Sequence, residues 1–171
     1  MDNKEIIQNL MSKDSKLVLR TIEVLREFGT PGFLSSLIDL LHKTKNPEIH
    51  EAIIALLDDI KDNRVVPELL KAIKNNKYSD EKNILIASCW KSGLDFSHNL
   101  DIFLDLFSND EFTVALEAYS VIEYNIAGLS ADAIESHFNQ IKQKSKNLSS
   151  DRKALSDDLI SMFEHGQSEN L

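Results

Sequence analysis

The stretch NPEIHEAIIALLDDIKDNRVVPELLKAIKNN, residues 46–76, decides the fold of this chain. It contains two amphipathic helical patterns separated by a short polar break. The apolar stripe of the first pattern is Ile49, Ile53, Ile54, Leu57 and Ile60, and that of the second is Val66, Leu69, Leu70 and Ile73. One helix pair cannot bury both stripes by itself. The stretch therefore predicts copies of itself on either side.

Those copies occur with a period of 32–34 residues. In the predicted first helices the aligned apolar sets are Leu25, Leu57, Cys89 and Ile122, and Ile22, Ile54, Ile86 and Tyr119. In the predicted second helices they are Leu37, Leu69, Phe103 and His137, and Leu41, Ile73, Phe107 and Ile141. Several registers repeating together indicate stacked helical hairpins.

We predict a single all-α domain over residues 1–171, an α-α superhelix built as a right-handed solenoid of about four hairpins. The predicted repeats span residues 14–45, 46–78, 79–109 and 110–147, with capping helices at 1–13 and 148–165 and a frayed tail at 166–171. Gly29 follows a predicted first helix, at a position where a left-handed residue commonly ends the helix. The polar run 143–147 is expected to be a connector.

The formal charge of −9 is unevenly distributed along the chain. Residues 1–77 contain 12 basic and 12 acidic residues, whereas residues 78–171 contain 7 basic and 16 acidic residues. An acidic surface repels phosphate backbones, so no nucleic-acid partner is expected. The chain has one cysteine, no leader-like start and no apolar run of the roughly 18 residues that a membrane span needs. We therefore predict a cytoplasmic protein without a membrane partner.

The central stretch resembles the short bacterial form of the HEAT repeat, which also occurs in bilin-lyase-like proteins. Residues 46–49 (NPEI) match the opening of that repeat, Ala52 its buried alanine, and residues 65–70 (VVPELL) the start of its second helix. His50 stands where the family usually has arginine, and Asp58 and Lys61 stand where it has glycine. The resemblance covers about residues 14–145 and implies the superhelical fold. The family has no common activity, so the resemblance implies none here.

The sequence provides no motif for catalysis, a cofactor or a metal. Its histidines (His42, His50, His98, His137 and His165) are never three or four residues apart, and no metal-binding His or Cys pattern occurs. His137 lies in an apolar register, which favours a partly buried, hydrogen-bonded histidine over a ligand. Cys89 also lies in a core register, which favours packing over nucleophilic chemistry. We predict that the protein is not an enzyme.

A solenoid of this type commonly binds partners along the concave face lined by its second helices. The candidate partner-binding residues on that face are Ser36, Asp39, Glu68, Lys71, Ile102, Asp105 and Asn139. The simpler interpretation is a solvated helix face, since outward polar residues need no further cause. We predict a non-catalytic scaffold that binds another protein or a peptide, as a monomer or weak homo-oligomer.

Two alternatives remain open at the level of the sequence. One is a bilin-lyase-like enzyme accessory or a nucleic-acid-binding HEAT-like protein, which the charge of −9 disfavours. The other is self-association through the end helices. If the last helix detached, its stripe of Leu155, Leu159, Met162 and Phe163 would become a docking motif.

Overall fold

The structure is a computed structural model that describes residues 3–28 and 31–169. These residues form α-helices and short 3₁₀ turns, with no strand among them. The helices are α1 (Asn3–Leu10), α2 (Ser15–Phe28), α3 (Leu34–Lys43), α4 (Pro47–Asp59), α5 (Val66–Ile73), α6 (Lys82–Lys91), α7 (Leu100–Asn109), α8 (Phe112–Asn125), α9 (Ala131–Ser145) and α10 (Ser150–Glu169). The predicted all-α class is confirmed.

Local capping chemistry explains several helix ends. The Asn46 side chain accepts a hydrogen bond from the backbone N–H of Glu48 at 2.9 Å, and Pro47 occupies the first turn of α4, where its missing N–H leaves no bond unmade. The Ser130 hydroxyl caps α9 in the same way through Ala133 N. Gly93, just after α6, has a φ of 71°, a left-handed conformation that glycine adopts readily. Gly29 lies outside the described residues.

The chain divides into two compact units, and the first comprises Met1–Leu94. In this unit α2, α4 and α6 pack side by side in one row, α3 packs beside α5 in a second row, and α1 contacts both α2 and α3. The Asp58 carboxylate of α4 accepts a hydrogen bond from the Ser88 hydroxyl of α6 at 2.8 Å. The unit therefore consists of adjacent helical hairpins that bury one another's apolar stripes.

The second unit comprises Asp95–Leu171. Here α7 packs against α8 and α9, and α10 packs against α8 and α9. Leu159 and Phe163 of α10 are fully buried. Thus α10 covers the apolar face of the α8–α9 pair, where the first helix of a further hairpin would otherwise lie.

The predicted apolar registers of the second helices are buried throughout. Leu37, Leu69, Phe103 and His137 are all buried, and so are Leu41, Ile73, Phe107 and Ile141. One first-helix register is also buried in full, whereas in the other Ile54 and Tyr119 are only half-buried. Tyr119 is drawn toward the surface because its hydroxyl donates a hydrogen bond to Asp158.

Two predicted helix ends differ from those observed. The run 143–147 is helical as far as Ser145, because Lys144 extends from α9 to pair with Asp105 of α7 at 2.5 Å. Residues 166–169 of the predicted tail continue α10, where Gly166 lies close to Ile134 of α9. Residues 170 and 171 lie outside the described residues. The single domain, its repeat boundaries and the handedness of the solenoid stay predictions.

Candidate functional site

The structure divides the predicted partner-binding residues between the two units. Ser36 and Asp39 lie on α3 and Glu68 and Lys71 on α5 of the first unit, while Ile102 and Asp105 lie on α7 and Asn139 on α9 of the second unit. All seven side chains are exposed or half-buried. A partner-binding role requires such outward positions. The role itself remains a prediction.

A first cleft lies between the end of α1 and α3. It encloses about 270 Å³ and is lined by Leu10, Met11, Ser12, Ser36, Asp39, Leu40 and Lys43. Met11 is 75% exposed at its edge. The cleft combines an apolar wall with charged groups at its rim, the composition of a site for an uncharged side chain with polar neighbours.

A second cleft lies on the other side of α3, against α5. It encloses about 180 Å³ and is lined by Ser35, Ile38, Glu68, Lys71, Ala72, Asn75 and Tyr78. Lys71 and Glu68 face each other at 3.7 Å, so they offset each other's charge at the rim. The two clefts together contain the four predicted residues of the first unit, whereas sequence reasoning alone did not show that these residues form two separate clefts.

Asp39, on the ridge between these clefts, is held in place by partners nearly forty residues away. Its carboxylate accepts hydrogen bonds from the Lys77 ammonium and, at 2.5 Å, from the Tyr78 hydroxyl. The Lys77 hydrogen bond is the main cause that holds the pKa of Asp39 below its usual range. The Tyr78 ring in turn meets His42 edge-on, with ring centroids 5.7 Å apart. Asp39 is therefore held in a fixed position between the two clefts, and the charge of its carboxylate is offset by Lys77.

In the second unit the predicted carboxylate Asp105 is also paired. Lys144 of α9 lies 2.5 Å from it, and the neighbouring Asp101 accepts a hydrogen bond from Gln140 of α9 at 2.9 Å. Both contacts join α7 to α9. Asp105 therefore links the two helices and is less available to a ligand than its exposed register suggested.

A third cleft, which the sequence did not indicate, lies in the second unit beside the end of α8. It encloses about 500 Å³ and is lined by Glu123, Ile126, Ala127, Leu129, Ile134, Ser161, Met162, His165 and Gly166. Its walls come from α8, the turn that follows it, α9 and α10. No single periodicity in the sequence contains these residues, because only packing brings them together.

The side chains that could take part in chemistry lie in surroundings that indicate structural roles. Cys89 is completely buried and burial raises the pKa of its thiol, which suppresses the reactive thiolate. Within residues 3–28 and 31–169 no three His, Cys, Asp or Glu side chains converge as they would around a metal ion. His137 is buried as predicted, but its Nδ1 atom makes no hydrogen bond, contrary to the predicted bonded state.

Among the described helices, none combines the length and the apolarity that a bilayer crossing demands.

A family model for HEAT repeats matches residues 3–88, half of the 171-residue chain. The chain therefore belongs to the HEAT-repeat family, as the resemblance of the central stretch indicated. HEAT repeats generally serve as protein-interaction scaffolds. The matched residues contain α1 to α5 in full, and with them both clefts beside α3.

Comparison with curated proteins found no match. Among solved structures, the chain is similar to the crystal structure of an engineered protein, with 14% sequence identity and a TM-score of 0.49 over 94% of this chain and 78% of that one.

Proposed function

We propose that the protein is a non-catalytic scaffold that binds an extended segment of another protein across α3. The observation that carries this proposal is the pair of clefts on opposite flanks of α3, the first with an apolar wall and a polar rim and the second lined mainly by polar groups. A helix is about 10 Å wide and an extended chain advances about 3.3 Å per residue. Two side chains four residues apart point to the same side of an extended chain and lie about 13 Å apart, so they would reach the two clefts together.

The charges around α3 favour a ligand with small net charge. Asp39 is neutralised by Lys77, and Glu68 is paired with Lys71. The clefts thus offer apolar contact and hydrogen-bonding groups without a strong field of either sign. The proposal includes a protein or peptide partner, no nucleic acid, a monomeric or weakly self-associating chain, and the predicted cytoplasmic location.

The proposal is tested by affinity capture from a lysate of the source organism with quantitative mass spectrometry. Ser36→Arg fills the first cleft and Lys71→Glu leaves two acidic groups facing each other at the second, so each variant should retain at most about a tenth of the captured partner. Lys74→Glu is the matched control: it makes the same charge change on an exposed lysine just after α5 that lines neither cleft.

Circular dichroism spectra of all variants should match that of the wild type, because the substituted side chains are not buried. Equal capture by wild type, Ser36→Arg and Lys71→Glu would remove the α3 surface as the binding site. A loss shared by Lys74→Glu would mean that general charge, and not the clefts, controls binding.

A further inference from the structure

The outer face of α8 carries three large apolar side chains that the fold covers only in part. Phe112, Leu116 and Tyr124 are 38%, 39% and 56% exposed, and they are spaced at multiples of four residues. Phe112 and Leu116 lie one turn apart on one side of the helix, and Tyr124 lies about 18 Å further along it than Phe112 and about a third of a turn around it. The opposite side carries the buried residues Val114, Ala115, Ala118, Val121 and Ile122. We call Phe112, Leu116 and Tyr124 the α8 ridge.

The α8 ridge is unusual for the surface of this chain. In the described residues five large apolar side chains are exposed, and three of them form this ridge. Scattered apolar residues on a surface need no explanation, whereas aligned ones indicate a contact site. The ridge is absent from the core because the inner side of α8 already fills the space against α7 and α10.

The ridge leads directly to the third cleft. Glu123 lies on the same side of α8 as Phe112 and Leu116, since the eleven residues from Phe112 to Glu123 make just over three full turns. Glu123 also lines the 500 Å³ cleft, together with Ala127 one turn further on and Met162 of α10. Ridge and cleft thus form one continuous surface within the second unit, with an acidic group at their junction.

The charge around this surface defines the chemistry of its occupant. Residues 95–171 contain 5 basic and 14 acidic residues, so they carry the entire charge of −9, while residues 1–94 contain 14 of each. Glu111 at the start of α8 and Glu123 near its end are exposed. Asp158 of α10 also lies beside α8, because it accepts a hydrogen bond from the Tyr119 hydroxyl. A second copy, a nucleic acid or an anionic membrane would each bring like charge to this face.

We propose that the α8 ridge and its adjoining cleft dock a basic amphipathic helix of a partner protein. The helix runs for about three turns along α8, packs its apolar side on Phe112 and Leu116, places a Lys or Arg opposite Glu123, and inserts one apolar side chain beside Met162. This surface is distinct from the α3 clefts, and the inference does not depend on them.

The contact is small, because one helix face buries less than the roughly 1,200 Å² typical of stable complexes. Interfaces of this size are typical of transient complexes. Since the charges lie at the exposed rim, binding weakens as salt screens them. These two properties make the interaction readily reversible.

The test is fluorescence polarisation of a labelled 18-residue Leu/Lys amphipathic peptide titrated with the full chain. Leu116→Lys removes the centre of the ridge and Glu123→Lys reverses the junction charge, so each should weaken binding at least about tenfold. Tyr124→Ala is a milder second variant of the ridge. Glu51→Lys, which makes the same charge reversal on an exposed residue of α4, should leave the affinity unchanged.

Peptide controls separate the proposal from general attraction between opposite charges. A scrambled peptide of the same composition should bind at least about tenfold more weakly, since its leucines no longer share one side. No binding of the amphipathic peptide, equal binding of the scrambled one, or equal loss with Glu51→Lys would overturn the proposal. So would a dimer in light scattering that Leu116→Lys abolishes, because the occupant would then be a second copy.

Discussion

His137 shows how one residue in a repeat register can serve the core poorly. It occupies the position of Leu37, Leu69 and Phe103 and is buried beside the Phe163 ring. Its Nδ1 atom lies 3.4 Å from an Asp101 oxygen but makes no hydrogen bond. A buried polar atom without a partner costs about 1–3 kcal/mol, so the side chain occupies a leucine site at some expense of stability.

We expect His137 to make the protein less stable in mild acid. Burial holds the pKa of His137 below its ordinary value of 6.5, and the Asp101 charge opposes this shift only in part. The unfolded chain therefore binds the proton more readily. The stability that depends on a neutral His137 is fully present above pH 6.5, and it is lost as the pH falls from there through the lower pKa of the folded state.

Urea unfolding at pH 7.5 and pH 5 measures this effect. His137→Leu should be more stable than the wild type by about 1 kcal/mol at pH 7.5, and by more at pH 5. Asn139→Leu is the control, because Asn139 is exposed and has no titratable group, so its replacement should not change the pH dependence. If the free energies of unfolding of wild type and His137→Leu differed by the same amount at pH 7.5 and pH 5, His137 would not be the cause of the acid sensitivity.

Arg152 connects two helices in a way that depends on buried hydrogen bonds. It lies in the first turn of α10, and its guanidinium donates hydrogen bonds to the backbone oxygens of Phe107, at 2.8 Å, and Asp110. These carbonyls terminate α7, where a helix leaves acceptors unpaired and favours positive charge. Arg152 therefore caps one helix from the start of another.

We expect Arg152→Met to destabilise the protein by about 2–4 kcal/mol. Methionine fills much of the same volume but donates no hydrogen bond, so the buried carbonyl of Phe107 and the half-buried carbonyl of Asp110 lose a charged donor. Lys153→Met changes an exposed neighbour by the same substitution and should alter stability by less than about 0.5 kcal/mol. Thermal and urea unfolding of both variants gives the comparison, and similar losses in the two would show that Arg152 has no special role.

The sequence could predict the helices and their buried sides because each depends on residues three or four apart. Leu37, Leu69 and Phe103 were identified in this way. The contacts of Asp39 with Tyr78 and of Arg152 with Phe107 join residues about forty positions apart, and no local pattern announces them. Periodicity does not reveal the α8 ridge, because Phe112 and Leu116 lie outside the repeat registers and their exposure depends on how α7 and α10 pack against α8.

The candidate site was predictable to the same extent. Ser36 and Lys71 were identified as outward residues from helical periodicity, and the structure places both at clefts. The periodicity could not show that Asp105 is engaged by Lys144, because the pairing requires α7 and α9 to lie side by side. The cleft beside Glu123 depends on residues from three helices and was therefore beyond sequence reasoning.

Across the whole molecule the charge is concentrated in one part of the chain. Residues 95–171 carry −9 and residues 1–94 carry zero, so acidic side chains in the second unit repel one another while those in the first are balanced. Removing one negative charge should then stabilise the protein only where the excess lies. Glu135 and Glu51 are a matched pair for this test, because both are exposed and each is the fifth residue of its helix.

At about 20 mM salt, Glu135→Gln should raise the free energy of unfolding by about 0.3–0.5 kcal/mol, whereas Glu51→Gln should leave it unchanged or lower it slightly through the lost interaction with the start of α4. At about 1 M salt the difference between the two variants should disappear, since the screening length falls to about 3 Å. A difference that persists in high salt would show that helix propensity or a specific contact, and not the excess negative charge, distinguishes the two sites. Since the same excess charge would attract a basic helix to the α8 ridge, Glu135→Gln should also weaken peptide binding slightly, and far less than Glu123→Lys does.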